Sequence, residues 1–221
     1  MGNGKLLVLG ATSPTGQIIV KRALEQGWKV TVYGRRTLPE HANNADITTI
    51  TGSLVDAVTL RPAITGQDVI ISVIGPKSPR APLDVFVPAY KLILAIMKSE
   101  GVRRIIALST FSVQDPKDRP NLTRWLLVTA VWAFAHKVWK TIIEMAKVFD
   151  EEGKELEWTL FRVGFLANGP PSRAAISGYV GDETLSMYLK RADIAEWTLK
   201  QAEKNPPEFV HQKPGICSVN V

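Results

Sequence analysis

Short apolar runs alternate with longer amphipathic stretches through most of the chain. The runs at 6–9, 30–33, 47–50, 69–74, 105–108 and 159–161 are rich in Val, Ile, Leu and Thr and too short for helices, so they read as strands. Between them, 17–26, 54–64, 88–100 and 141–152 repeat apolar side chains at helical spacing. Strands buried on both faces lose the apolar-polar alternation, and parallel strands need long crossovers that helices supply. The pattern predicts an α/β fold, a doubly wound parallel sheet of the Rossmann type.

The punctuation agrees. Gly27, Gly66, Gly101 and Gly153 each stand where a helix should end in a left-handed cap. After Val163 the regularity fades into Gly169-Pro170-Pro171 and a mixed tail, with one more helix expected at 192–202. There is no repeat and no linker, so one domain over 1–221 is expected, with a small C-terminal lobe and substrate-side elements mainly at 111–140 and 163–190. The greasiest segment, WLLVTAVWAFA at 125–135, is closed by Arg124 and by His136-Lys137. A bilayer span needs roughly 20 apolar residues, so no transmembrane segment is expected; a buried helix, a pocket wall or a lid are the readings.

Composition narrows the classes. Of the 221 residues 45% are hydrophobic and 22% charged, a globular balance. The net charge of +6 is spread along the chain, which does not point to nucleic acid but suits a small anionic ligand. Cys217 is the single cysteine, excluding an internal disulfide and fitting a reducing, cytoplasmic setting. The apolar run at 6–9 is too short for a signal-peptide core, and Leu6 stands where a myristoylation motif wants Ser or Thr.

The first strand runs into Gly10-Ala11-Thr12-Ser13-Pro14-Thr15-Gly16 and then a helical pattern. A tight strand-to-helix turn presents free N–H groups and the positive helix end to a pyrophosphate, and glycine lets the ligand approach the main chain. Ser13 replaces the usual middle glycine: either its hydroxyl turns to phosphate, or the loop is a turn without a ligand. The second strand ends Val32-Tyr33-Gly34-Arg35-Arg36, with no acid before Glu40. Arginines there accommodate a 2′-phosphate, which points to NADP(H), unless both are simply solvated.

With these residues the chain resembles the atypical short-chain dehydrogenase/reductase superfamily, especially its NmrA-like branch and the flavin/biliverdin reductases. The likeness rests on GATSPTG at 10–16, on Gly52-Ser53-Leu54-Val55-Asp56, on Ser109-Thr110, on Glu157-Trp158-Thr159-Leu160-Phe161-Arg162-Val163-Gly164 and on Arg191-Ala192-Asp193-Ile194-Ala195. The tail looks most like that of fungal members from aromatic polyketide pathways, a setting in secondary metabolism. The resemblance implies that Ser53 and Leu54 flank the adenine. It also implies that Val73, Ile74, Gly75 and Pro76 pass the cofactor ribose, and that Val163, Gly164 and Phe165 lie near the nicotinamide.

The same resemblance supplies catalytic candidates. Known reductases use a Tyr-x-x-x-Lys helix, in which tyrosine is the proton donor and lysine holds the ribose. Lys140 and Glu144 fit that helix, and His136 takes the place of tyrosine. Imidazole is a competent proton donor near neutral pH; alternatively His136 ends the greasy run at a helix surface. Ser109, Thr110 and Ser112 bring hydroxyls to the carboxyl end of the fifth strand, where open α/β sheets bind ligands. His41 and His211 carry no assigned role, and no spacing suggests a metal. The expectation is an NADPH-dependent oxidoreductase acting on a carbonyl or enone of a hydrophobic, aromatic small molecule. The alternatives are a non-redox isomerase or cyclase using His136 and Lys140, and an NmrA-like nucleotide-sensing regulator.

Overall fold

The computed structural model describes residues 4–39, 44–76 and 82–219, so His41 and Glu40 lie outside the described residues. The expected first strands are present: β1 (Lys5–Leu9), β2 (Lys29–Gly34), β3 (Ile47–Thr51), β4 (Val69–Ser72), β5 (Arg104–Thr110) and β6 (Glu157–Val163). They form the parallel array β3-β2-β1-β4-β5-β6, extended by β10 (Gly215–Ser218) and then β8 (Ala175–Gly178), the latter antiparallel to β10. The chain order reverses at β1, between β2 and β4, and that is where a doubly wound sheet opens a crevice at its carboxyl edge.

Successive side chains of a strand face opposite ways, so each strand feeds two cores. Leu7, Leu9, Ile70, Ile105, Trp158 and Leu160 join the cluster under α2 (Ala57–Ile64), α3 (Phe86–Glu100) and α5 (His136–Glu152). Leu6, Val8, Val30, Ile71, Ile106 and Phe161 join the other, under α1 (Pro14–Glu25) and α6 (Arg191–Glu203). Tyr90 of α3 stacks on Phe149 of α5, ring centroids 5.0 Å apart, which fixes these two helices side by side.

Several boundaries move from the expected ones for local reasons. α1 begins at Pro14 because Ser13 caps it, its Oγ accepting from Gly16 N at 3.0 Å, and proline has no N–H to leave orphaned in the first turn. α2 begins at Ala57 because Asp56 caps it, leaving Ser53-Leu54-Val55 as a turn. β4 stops at Ser72, so Val73 and Ile74 form the loop beyond the strand. Gly27, Gly66 and Gly101 adopt the left-handed region, at φ 81°, 71° and 71°. Gly153 does not: its φ is −92°. It must be glycine for another reason, since a Cβ there would lie 2.5 Å from the Phe149 carbonyl oxygen and 2.7 Å from the Trp158 ring.

The run at 125–135 forms most of α4 (Leu122–Phe134), capped by Asn121. The buried-helix reading is corrected: no residue of α4 is buried, and Phe134 is 90% exposed. No single helix among the described residues is long and apolar enough to cross a membrane; α4 and α5 reach that mark only as a pair bent by 115°. After β6 the chain makes a second, two-stranded parallel sheet of β7 (Phe165–Ala167) and β9 (Tyr188–Lys190) before α6.

Candidate functional site

The nucleotide-binding candidates converge on the carboxyl edge of the sheet. β1 leaves at Gly10, whose φ of 86° is readily open only to glycine, and a Cβ there would meet the Val73 backbone at 3.0 Å. Gly16 is tighter still: its Cβ would lie 2.3 Å from the Gly10 carbonyl oxygen and 2.7 Å from Ala11 Cα. The turn closes through Ser13 N donating to Gly10 O at 2.9 Å. Pro14 has no N–H and Gly16 N is taken by Ser13, while Ala11, Thr12 and Thr15 N–H make no hydrogen bond among the described residues. The Ser13 oxygen therefore serves as a cap acceptor, which leaves its hydroxyl proton free to donate outward.

The flanking strand ends complete the edge. Arg35 and Arg36 follow β2, both exposed, and neither forms an ion pair among the described residues. Tyr33 donates its hydroxyl to Ser53 O at 2.7 Å and lies 2.8 Å from Thr59 Oγ1, tying the 53–54 turn to β2; burial pushes the Tyr33 phenol up in pKa. Gly52 permits that contact, because a Cβ would sit 2.4 Å from the Tyr33 oxygen. Val73 N donates to Leu9 O at 2.9 Å, bringing Val73, Ile74 and Gly75 beside the Gly10 turn. Ser109 pairs in register with Arg162, and Thr110 with Val163. Ser109 is buried, and Thr110 Oγ1 accepts from Ser112 N at 3.3 Å. Gly164 has no room for a side chain, since its Cβ would lie 2.3 Å from Met187 O, while Phe165 is 62% exposed.

His136 and Lys140 come from helix α5 and not from a strand end. Both are exposed on the first turns of α5. With about 3.6 residues per turn, Lys140 lies across the helix from Ile142, Met145 and Phe149, which pack into the core. His136 sits among indoles, its ring centroid 5.8 Å from that of Trp132 and 5.6 Å from that of Trp139. Lys140 borders a 310 Å³ cleft with Leu83, Asp84 and Val87. No hydrogen bond or ring contact among the described residues joins either to Ser109 or Thr110. His211 is structural, its Nε2 2.7 Å from Leu156 O and its ring on Trp158.

Charged clusters centred on Arg162 and Asp193 received no role from the sequence. Arg162, fully buried on β6, pairs with both carboxylate oxygens of Asp118, at 2.5 and 2.7 Å, and donates to Val113 O at 3.0 Å. Asp118 also accepts from Val180 N and Asp115 N, both at 3.0 Å. Burial alone would raise the Asp118 pKa, but the Arg162 bonds and backbone donors outweigh it and hold the carboxyl below the usual range. This knot locks the loop after β5 to β6, directly before Val163. Asp193 likewise pins the 172–174 segment and β10 to α6, accepting from Ser172 N and Ser172 Oγ at 2.7 Å and from Ser218 Oγ. Both acids find partners far along the chain, where no local pattern signals them. The sequence signals were the arginine within the Phe161-Arg162-Val163-Gly164 motif and the aspartate within Arg191-Ala192-Asp193-Ile194-Ala195.

Known proteins share this architecture. The short-chain dehydrogenase/reductase of Veillonella parvula DSM 2008 superposes with a TM-score of 0.76 at 18% identity, over 97% of this chain and 94% of that one. The same Veillonella protein in complex with NADP gives 0.75 at 18% identity, with the same coverage of both chains. ChuY, an anaerobillin reductase from Escherichia coli O157:H7, gives 0.75 at 18% identity, over 98% of each chain. At these identities the likeness establishes the fold. The family assignment comes from the sequence itself, which matches the NAD(P)H-binding family from residue 10 to residue 205, so the chain belongs to that family.

Proposed function

We propose that the protein is an NADPH-dependent oxidoreductase that reduces a carbonyl or conjugated enone of a hydrophobic, aromatic small molecule. The observation that carries the reading is the β1–α1 turn, where Gly10 and Gly16 admit no Cβ and three N–H groups have no protein acceptor among the described residues. Such a turn suits a pyrophosphate at a helix N-terminus. In this reading Gly10, Thr12, Ser13, Pro14, Thr15 and Gly16 cradle the phosphates, and Arg35 and Arg36 take the 2′-phosphate. Ser53 and Leu54 flank the adenine, Val73, Ile74 and Gly75 line the ribose, and Val163, Gly164 and Phe165 border the nicotinamide. The neighbours support it, one being described as a reductase and one being in complex with NADP.

Bound NADPH would supply a hydride. The chain's part is to bind, orient and polarise. Ser109 and Thr110 stand at the end of β5 next to Val163, and a hydroxyl there can donate to the substrate oxygen as negative charge develops on it. The buried position of Ser109 limits competing water. An aromatic secondary metabolite is the acceptor class suggested by the sequence resemblance. The test is NADPH consumption against a panel of aromatic ketones and enones, with calorimetric binding of NADPH as the first step. Ser109→Ala and Thr110→Ala should lower turnover with NADPH affinity kept. NADPH that binds but is consumed with no acceptor, or products of unchanged mass, would replace this reading with the sensor or the isomerase.

A further inference from the structure

α4 is inserted between β5 and α5, and with the outer flank of α5 it borders an open cleft of about 510 Å³. That lies within the range of small-molecule sites. Its walls carry the indoles of Trp125, Trp132 and Trp139 with the aliphatic Val113, Val128 and Ile143. No residue of the Gly10–Gly16 turn, nor Arg35 or Arg36, contributes to it.

Two N–H donors behind this wall, Arg124 Nη2 and Trp139 Nε1, are shielded from solvent and have no acceptor among the described residues. The Arg124 guanidinium is held in place, its Nε donating to Phe111 O at 2.9 Å. The cleft's other cations are matched: Lys147 pairs with Glu144 at 2.9 Å and Lys213 with Asp150 at 2.8 Å. Asp118, whose charge reaches Arg124, has its carboxylate committed to Arg162. Arg124 is thus a positioned, partly desolvated cation with no ion-pair partner among the described residues, a state that favours an anionic ligand. Flat indole faces around it suit a flat ring.

We infer that the α4–α5 cleft binds a planar aromatic anion, its ring against the indoles and its oxyanion against the Arg124 guanidinium, which lines the cleft. A carboxylate, a phenolate and a sulfonate share this chemistry. Calling that ligand the hydride acceptor rests on the reductase reading above; the site itself does not.

The test titrates the folded, full-length protein with 8-anilinonaphthalene-1-sulfonate and, separately, with the uncharged N-phenyl-1-naphthylamine. Binding is read by energy transfer from tryptophan, without cofactor and again with saturating NADPH. The sulfonate should bind at one site and stay bound when NADPH is added. Arg124→Met should weaken the sulfonate about tenfold or more while changing the neutral probe by less than about twofold. Val128→Trp, which fills the cleft and spares Arg124, should weaken both probes, and circular dichroism establishes that each variant is folded. Absence of sulfonate binding, its displacement by NADPH, or equal losses of both probes in Arg124→Met would overturn the site. Failure of NADPH to bind would instead remove the reductase reading and leave the probe measurements intact.

Discussion

Replacing Asp118 by asparagine keeps the side chain's size and removes the carboxylate that, alone among the described residues, is bonded to the fully buried Arg162. Arg162 would keep its bond to Val113 O, while its Nε already has no partner among the described residues, so its charge would be left inside β6 without a counter-ion from them. Breaking a buried pair from one side costs about 3–5 kcal/mol, well above the roughly 0–1 kcal/mol of a surface pair. The low end of that range is expected here, because asparagine retains an acceptor for Val180 N or Asp115 N. With a urea slope of about 2 kcal/mol per molar, the unfolding midpoint should fall by about 1.5 M. Arg162→Met together with Asp118→Asn should be less damaging than the sum of the two single changes, a coupling of at least about 1.5 kcal/mol. The sign of the pH effect follows from the depressed carboxyl: its contribution is present above the unfolded value of about 3.9 and is lost as pH falls through the lower folded value. Wild-type stability should therefore drop more steeply on acidification below about pH 4 than that of the Asp118→Asn chain. A midpoint within about 0.3 M of wild type, or strict additivity in the cycle, would refute the claim that this pair organises the loop after β5.

Other expectations address the nucleotide edge and α5. Arg35→Ala with Arg36→Ala should remove most of a preference for NADPH over NADH, a loss of about 1.5–3 kcal/mol in calorimetry; equal affinities before mutation would make both arginines plain surface charge. Gly16→Val should abolish nucleotide binding with the sheet still folded by circular dichroism, since even a Cβ meets Gly10 O at 2.3 Å; unchanged affinity would put the phosphates elsewhere. His136→Ala should keep turnover near wild type, because the ring is exposed between two indoles. A drop of about 10²–10⁴-fold with NADPH affinity intact would make it the proton donor after all.

The parallel core was legible because each of its strands is a run of apolar or β-branched residues and each crossover helix carries an apolar face. β10 and β8 were not, since Gly-Ile-Cys-Ser and Ala-Ile-Ser-Gly have neither length nor alternation, and their pairing partners stand far off in sequence. The nucleotide edge could be read locally because a turn, its cap and its glycines fall within seven neighbouring residues, 10–16. The glycines carried more than conformation, though: Gly153 stands where a helix cap is expected and Gly164 within a motif, yet a Cβ at the first would collide with Phe149 O and Trp158, and at the second with Met187 O. Asp118 and Arg162 are 44 residues apart and meet only because β5 and β6 pair in register. α4 misled in the other direction, since periodicity and hydrophobicity describe what a segment could bury and say nothing about whether the fold offers it a surface.

Because α4 packs along α5 and adds no residue to either core cluster, its sequence is largely uncoupled from the stability of the sheet. Substitutions along its inward side change the shape and charge of the α4–α5 cleft, while the strands that carry the nucleotide edge remain untouched. Selection can therefore act on the two parts separately: the Asp118–Arg162 knot resists change because it is buried and charged, and the helix 4 residues beyond it tolerates drift. A lineage could alter ligand choice through a handful of α4 positions while the nucleotide edge is inherited unaltered.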